Sequence, residues 1–392
     1  MIVNGTAPCV KRFVWGRLVL TPKGYPALAA LMVLLVTMPM EVLGQDPPLR
    51  DQSAVQAYSQ GLAASERGTR EGIRSAIALW ADAVRISHHA KDQRGESFLL
   101  SRIGGAYRLL GNADSAAFFH QRAATVAAEA GDAQRRGIAL NELGLDHKYA
   151  GRLGEARDAF LQALRQSRNV RNRPGEAAAH NNLGELYRTI GRSDSALVYL
   201  RLSSDLMHEL GDRRGEAVAL ANLALVFQAV GRPDSALAVL HRSLRVFERD
   251  GSGAGVPITL NNIGEIYRRS GRADSALAYF QRSLVVGRRL GDRRAMGMAL
   301  NNIGLLLQPQ SADTALRLFR EALSLAQHSG NRPGEGAALN NVGSAFEELS
   351  QLDSAFIYFN RALEVVRELG DRASQRIVLD NIARVRRSGR TP

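Results

Sequence analysis

Cysteine is all but missing from the 392 residues: Cys9 is the only one, which excludes a disulfide framework and any metal centre built on thiolates. Lysine is nearly as rare, at Lys11, Lys23, Lys91 and Lys148, so the 51 basic residues are overwhelmingly arginine. Aromatic residues make up only 6% of the chain, too few to pack a core and also stack nucleic-acid bases. Catalytic signatures are lacking too. There is no His-Glu-x-x-His, no Gly-x-Ser-x-Gly and no phosphate loop ending in Gly-Lys-Ser/Thr. The eight histidines stand singly except His88-His89, which falls at a predicted helix end where a cationic ring suits the dipole. Gly251-x-Gly-x-Gly255 has the outline of a dinucleotide loop but follows a helix where that motif needs a strand. No catalytic residue, metal ligand or cofactor is therefore expected.

What the chain does contain is apolar surface, 45% of residues, enough to exclude a disordered polymer, and a net charge of +13. At the N-terminus Lys11, Arg12, Arg17 and Lys23 precede an uncharged apolar run from Tyr25 to Met40. A basic stretch before a short apolar block is the pattern of an export signal. Val42-Leu43-Gly44 suits cleavage before Gln45, which is not the cysteine a lipoprotein anchor requires. Two readings of residues 1–44 stand, a cleaved signal and an uncleaved membrane anchor, with cleavage preferred because the run is shorter than the roughly 20 residues of a comfortable span. Both put the remaining chain outside the cytoplasm, periplasmic or secreted, where lack of cysteine is no handicap.

Residues 45–52 read as a linker, and beyond them the sequence repeats itself. Asn141-Glu-Leu-Gly144, Asn181-Asn-Leu-Gly184, Ala221-Asn-Leu-Ala224, Asn261-Asn-Ile-Gly264 and Asn301-Asn-Ile-Gly304 recur every 40 residues. Asn340-Asn-Val-Gly343 arrives one residue early, and Asp380-Asn-Ile-Ala383 resumes the spacing. A second signature follows each time, as in Asp194-Ser-Ala196, Asp234-Ser-Ala236 and Asp274-Ser-Ala276. Within a unit the period is helical: Leu220, Leu223 and Phe227 make one apolar stripe, and Ala236, Leu240 and Leu244 another. Gly231 is placed to close the first helix in a left-handed conformation, and Pro233 opens the second. Asp212, Asp292 and Asp371, with Asn172 and Asn331 in the same register, are candidate N-caps. Each unit is a helical hairpin. Gly104, Gly144, Gly184, Gly264, Gly304 and Gly343 sit inside helices at a cost of about 1 kcal/mol each. They are expected to allow close approach of the alanine-bearing partner helix, with Tyr107, Tyr187, Phe227, Tyr267 and Phe346 filling the space beside them.

Leu260, Ile263-Gly264, Tyr267, Ala276 and Phe280 together resemble the tetratricopeptide repeat. The 40-residue unit is similar to the longer version of kinesin light chains and spindle-orientation scaffolds, and the resemblance covers residues 53–388. It implies an all-α, right-handed superhelical solenoid of about eight hairpins closed by a capping helix at 372–388, with a short tail at 389–392. Gly251-Ser-Gly-Ala-Gly-Val-Pro257 and Leu307-Gln-Pro-Gln-Ser311 depart from the repeat, as hinges or as simple drift.

The resemblance also implies a concave groove. Asn182, Asn222, Asn262, Asn302, Asn341 and Asn381 fall off the core stripe and stack into a ladder, which Glu142 and Arg102 continue toward the N-terminus. An amide side chain can pair with both the C=O and the N–H of an extended peptide. Asparagine is a mediocre helix former, so its recurrence needs a reason, ligand contact or the stacking of neighbouring helices. Glu185 and Glu265 lie one turn on, alternating with Leu225 and Leu305, and Arg188 and Arg268 follow near the helix ends. A ligand carrying basic and apolar side chains would suit this set. The turn arginines, as in Asp212-Arg-Arg-Gly-Glu216, read as solvated charge beside acidic partners rather than a nucleic-acid surface. The expected protein is a non-enzymatic scaffold for an unidentified protein or peptide partner, with possible membrane association through its N-terminal segment. The alternative is a sensor module working with a separately encoded signalling protein.

Overall fold

The computed structural model describes residues 49–67, 69–250, 253 and 255–388. Residues 1–44, read above as an export signal or anchor, linker residues 45–48, the 389–392 tail and most of the irregular 251–255 turn lie outside the described residues. Among the described residues there are seventeen helices and no strand. They are α1 (Gln52–Ser65), α2 (Arg70–His89), α3 (Gln93–Leu109), α4 (Ala113–Glu129), α5 (Ala133–Tyr149), α6 (Leu153–Asn169), α7 (Arg173–Thr189) and α8 (Ser193–Glu209). These are followed by α9 (Arg213–Ala229), α10 (Pro233–Asp250), α11 (Val256–Arg269), α12 (Ala273–Leu290), α13 (Arg293–Leu307), α14 (Ala312–His328), α15 (Arg332–Glu348), α16 (Leu352–Glu368) and α17 (Arg372–Ser388). Each odd helix packs most closely on the even one after it, giving eight hairpins and a lone last helix. Among the described residues no helix is long and apolar enough to cross a membrane.

The turns explain the regularity. A residue with positive φ ends nearly every helix at 20-residue intervals: Gly111, Gly131, Gly151, then Gly191, Gly211, Gly231, then Gly271 and Gly291. At Gly231 the left-handed turn lets Arg232 N–H reach back to Phe227 C=O at 2.8 Å, satisfying a carbonyl the helix end would otherwise orphan. The expected caps form on the far side of the turn. Asp212 accepts from Gly215 N–H at 2.8 Å, and Asn172, Asp292, Asn331 and Asp371 do the same for their helices. The Leu307–Ser311 turn has no such positive φ, and Ser311 caps α14 instead. Lys91, Arg171 and Ser350 occupy the left-handed position without being glycine. A side chain there costs about 1 kcal/mol or more. Replacing Arg171 and Ser350 together by glycine is expected to raise the melting temperature, read by circular dichroism; a fall would show that their side chains outweigh the backbone cost.

Packing inside the hairpin differs in one respect from the sequence expectation. The helix-interior glycines do not primarily face the partner alanine. A Cβ at Gly144, Gly264, Gly304 or Gly343 would lie within 2.7 Å of the ring of Phe160, Phe280, Phe319 or Phe359, the residue one turn after that alanine. The glycine thus makes room for a buried ring laid flat on the helix backbone. The tyrosine beside it stacks on the next helix, Tyr187 on Tyr199 and Tyr267 on Tyr279, each with centroids 5.4 Å apart. The first hairpin follows the same plan with tryptophan, whose Trp80 N–H donates to Tyr58 C=O at 3.1 Å.

Candidate binding groove

The closest approaches between alternate helices all join odd-numbered ones: α3 to α5 to α7 to α9, and α11 to α13 to α15 to α17. The odd helices therefore form the inner row of the curved stack, and their middle turns line its concave face. On this row every second asparagine but Asn262 donates its amide N–H to the first asparagine of the preceding repeat. Asn182 donates to Asn141 at 3.0 Å, Asn222 to Asn181 at 3.0 Å, and Asn302 to Asn261 at 3.3 Å. Asn341 donates to Asn301 at 3.4 Å and Asn381 to Asn340 at 2.8 Å. Both asparagines of a pair are thus used in stacking. One amide hydrogen and the Oδ1 of each second asparagine are not spent in the ladder, so stacking and ligand contact are compatible. At Asn262 the ladder is interrupted: Ala221 holds the acceptor's register in the preceding repeat, and α9 and α11 are not among the inner helices that approach closely.

The charged groups expected to read a ligand are engaged with each other. Glu185 is buried and takes Lys148 at 2.6 Å, from one inner helix to the next. Glu265 holds Arg268 of its own helix through two bonds of 2.7 and 2.8 Å. Neither acid stands open for a basic ligand side chain. Arg188 lacks such a partner at its Nε, as does the Nε2 of Gln228 in the next repeat. Burial draws the Arg188 pKa down, against the pull of Glu185.

In the N-terminal half lies a network that the sequence reading missed. His120 occupies the buried position filled by Phe160, Leu200, Leu240 or Phe280 in later hairpins, and Asp146 replaces the apolar residue it packs on, Leu186, Val226 or Ile266. His120 Nδ1 is 2.5 Å from Asp146 Oδ2, and its Nε2 is 3.1 Å from Ser101 C=O. Arg108 donates to Asp146 at 3.0 Å and pairs with Glu142. Burial opposes the charge on Arg108, but Glu142 and Asp146 outweigh it and raise its pKa. Burial likewise disfavours the Glu142 carboxylate, yet Arg108 and His120 hold its pKa below the ordinary range. The signal was a histidine in a column of apolar side chains, visible only when the repeats are aligned position by position.

In the C-terminal half the groove deepens into a cavity of about 240 Å³. Asn262, Glu265, Arg268, Asn302 and Asn341 all line it, together with Met298, Leu305 and Ile377. Asn182, Asn222, Asn381, Glu185 and Arg188 are not part of it. Ser374 also lines it and was not singled out by sequence; its hydroxyl is buried and makes no hydrogen bond. His88 is bonded to Glu96 at 3.0 Å, and no set of three potential metal ligands gathers among the described residues.

Residues 135–209, 255–328 and 310–368 match one family model of the tetratricopeptide repeat, and residues 219–252 match another. No curated protein matches the chain. Among solved structures it is similar to yeast Tom70, with a TM-score of 0.60 at 14% identity over 87% of this chain and 66% of that one. It is similar to the apo form of the quorum sensor NprR from B. thuringiensis, TM-score 0.57 at 13% identity, over 87% of this chain and 96% of the other. The Rap conjugation gene regulator of the plasmid pLS20, in complex with the Phr* peptide, gives a TM-score of 0.53 at 14% identity, over 72% and 77%. At these identities the likeness is one of fold.

Proposed function

Because the chain belongs to the tetratricopeptide repeat family, we propose that it is a non-enzymatic scaffold that binds an extended protein segment in its concave groove. The observation that carries this is the C-terminal cavity, where asparagines retain hydrogen-bonding capacity beside an apolar floor. Such a lining can grip a backbone through its C=O and N–H groups while burying side chains. The same proposal has the protein exported, on the strength of the basic and then apolar segment within residues 1–44. A sensor module is the second reading, supported by the likeness in fold to a quorum sensor and to a regulator in complex with a peptide.

The test is a photo-crosslinking amino acid placed at Leu305 in the groove or at Ile357, which is 57% exposed. Expressed in the native host and irradiated, the groove position should yield a protein adduct that the Ile357 position does not. Adducts common to both positions, or none from Leu305, would sink the proposal.

A further inference from the structure

The two halves of the groove differ in chemistry. Between α3 and α7 the inner helices are bridged by their own ion pairs, Arg108 to Glu142 and Asp146, and Lys148 to Glu185. A charged ligand side chain entering here would have to displace a partner already desolvated and paired. Between α11 and α17 the lining is uncharged apart from Glu265 and Arg268, which are bonded to each other. Its remaining groups are uncharged, among them the amides of Asn262, Asn302 and Asn341 and the apolar side chains of Met298, Leu305 and Ile377. Two polar groups in this half are left short. Asn262 makes no ladder bond, the acceptor's register being held by Ala221, and the Ser374 hydroxyl is buried at 4% exposure with no hydrogen bond.

A buried hydroxyl with no partner costs free energy unless something supplies one. An extended backbone supplies both donors and acceptors along its length. A charged side chain, by contrast, would be stripped of water against Met298 and Leu305, and the lining charges of Glu265 and Arg268 are already bonded to each other. Resting on the scaffold reading above, we propose that α11, α13, α15 and α17 form the binding site for an uncharged, apolar stretch of extended peptide, its backbone held by Asn262, Asn302, Asn341 and Ser374. Inner helices about 9–10 Å apart give a span of three steps, which an extended chain covers with roughly eight residues.

The experiment uses the full chain as bait for a phage-displayed library of random peptides about ten residues long, a length set by that span. Enriched peptides are then synthesised with a fluorescent label and titrated by anisotropy. Their shared core is expected to be free of Asp, Glu, Lys and Arg. Leu305→Asp should weaken binding by about tenfold or more, and Ser374→Ala by about two- to tenfold. Leu145→Asp, at the same register in the N-terminal half, should leave affinity within about twofold. Should Leu305→Asp lower the melting temperature, Ile377→Asp carries the same test. Enrichment of acidic peptides whose binding fails in Arg188→Gln, or loss in Leu145→Asp rather than Leu305→Asp, would overturn this inference and leave peptide capture standing. No enrichment over a blank support would overturn both.

Discussion

Asp146→Leu is expected to destabilise the fold by about 3–5 kcal/mol, the cost of breaking a buried charge network by removing one member. The carboxylate is fully buried and accepts both from Arg108 at 3.0 Å and from His120 at 2.5 Å. Its loss strands a ring nitrogen of His120, itself 1% exposed, where no water can replace the bond. The double variant His120→Phe/Asp146→Leu should behave very differently. It restores the ring and aliphatic pair that Phe160 and Leu186 make one hairpin later, and Arg108 keeps Glu142. Stability should return to within about 1–2 kcal/mol of wild type or exceed it, since apolar replacement of a buried network is often neutral or favourable. Urea unfolding followed by circular dichroism gives the cycle, and hydrogen exchange in α4 and α5 shows where the loss sits. A single variant within about 1 kcal/mol of wild type would mean that the network contributes nothing to stability.

The second large effect runs against helix propensity. Glycine to alanine inside a helix ordinarily gains about 1 kcal/mol. At Gly304 the added Cβ would lie 2.4 Å from Cε1 of Phe319, a ring with no exposed surface and no room to retreat. Overpacking of this kind costs about 1–3 kcal/mol, so Gly304→Ala should be a net loss. Phe319→Ala, which empties the same space, should cost about 3–5 kcal/mol. The chain carries its own remedy. In the hairpin of α9 and α10, alanine replaces the glycine at Ala224, and the facing residue is the smaller Leu240. Among the described hairpins glycine is found opposite phenylalanine, leucine, His120 or Trp80, and alanine opposite Leu240 and not opposite phenylalanine. Gly304→Ala/Phe319→Leu should therefore recover most of the stability lost by Gly304→Ala. Thermal melts of the three variants decide it, and a double variant as unstable as Phe319→Ala would refute the pairing.

Legibility followed the range of the interaction. Gly231 and Asp212 were readable because a left-handed turn and an N-cap are settled within five residues of chain. The stripe of Leu220, Leu223 and Phe227 was readable because its period is that of one helix. Half of the proposed contact set, Asn262, Glu265, Arg268, Asn302 and Asn341, does come together in one cavity. That Glu185 answers Lys148, and is thereby lost as a ligand contact, depends on two residues 37 apart on neighbouring inner helices. Their meeting depends on the stagger between stacked repeats, which no local pattern encodes.

The sequence by itself determined the helices, their caps, the 20-residue turn and the count of hairpins, since each follows from spacing and backbone preference along a single chain. Tertiary structure alone decided what the repeated polar residues do. Asn222 and Asn262 are the same residue in the same register, yet one is bonded to Asn181 and the other, with Ala221 in the equivalent acceptor register, makes no ladder bond. The difference lies one repeat back, because in a solenoid each unit finishes its hydrogen bonding on the neighbour it is stacked against.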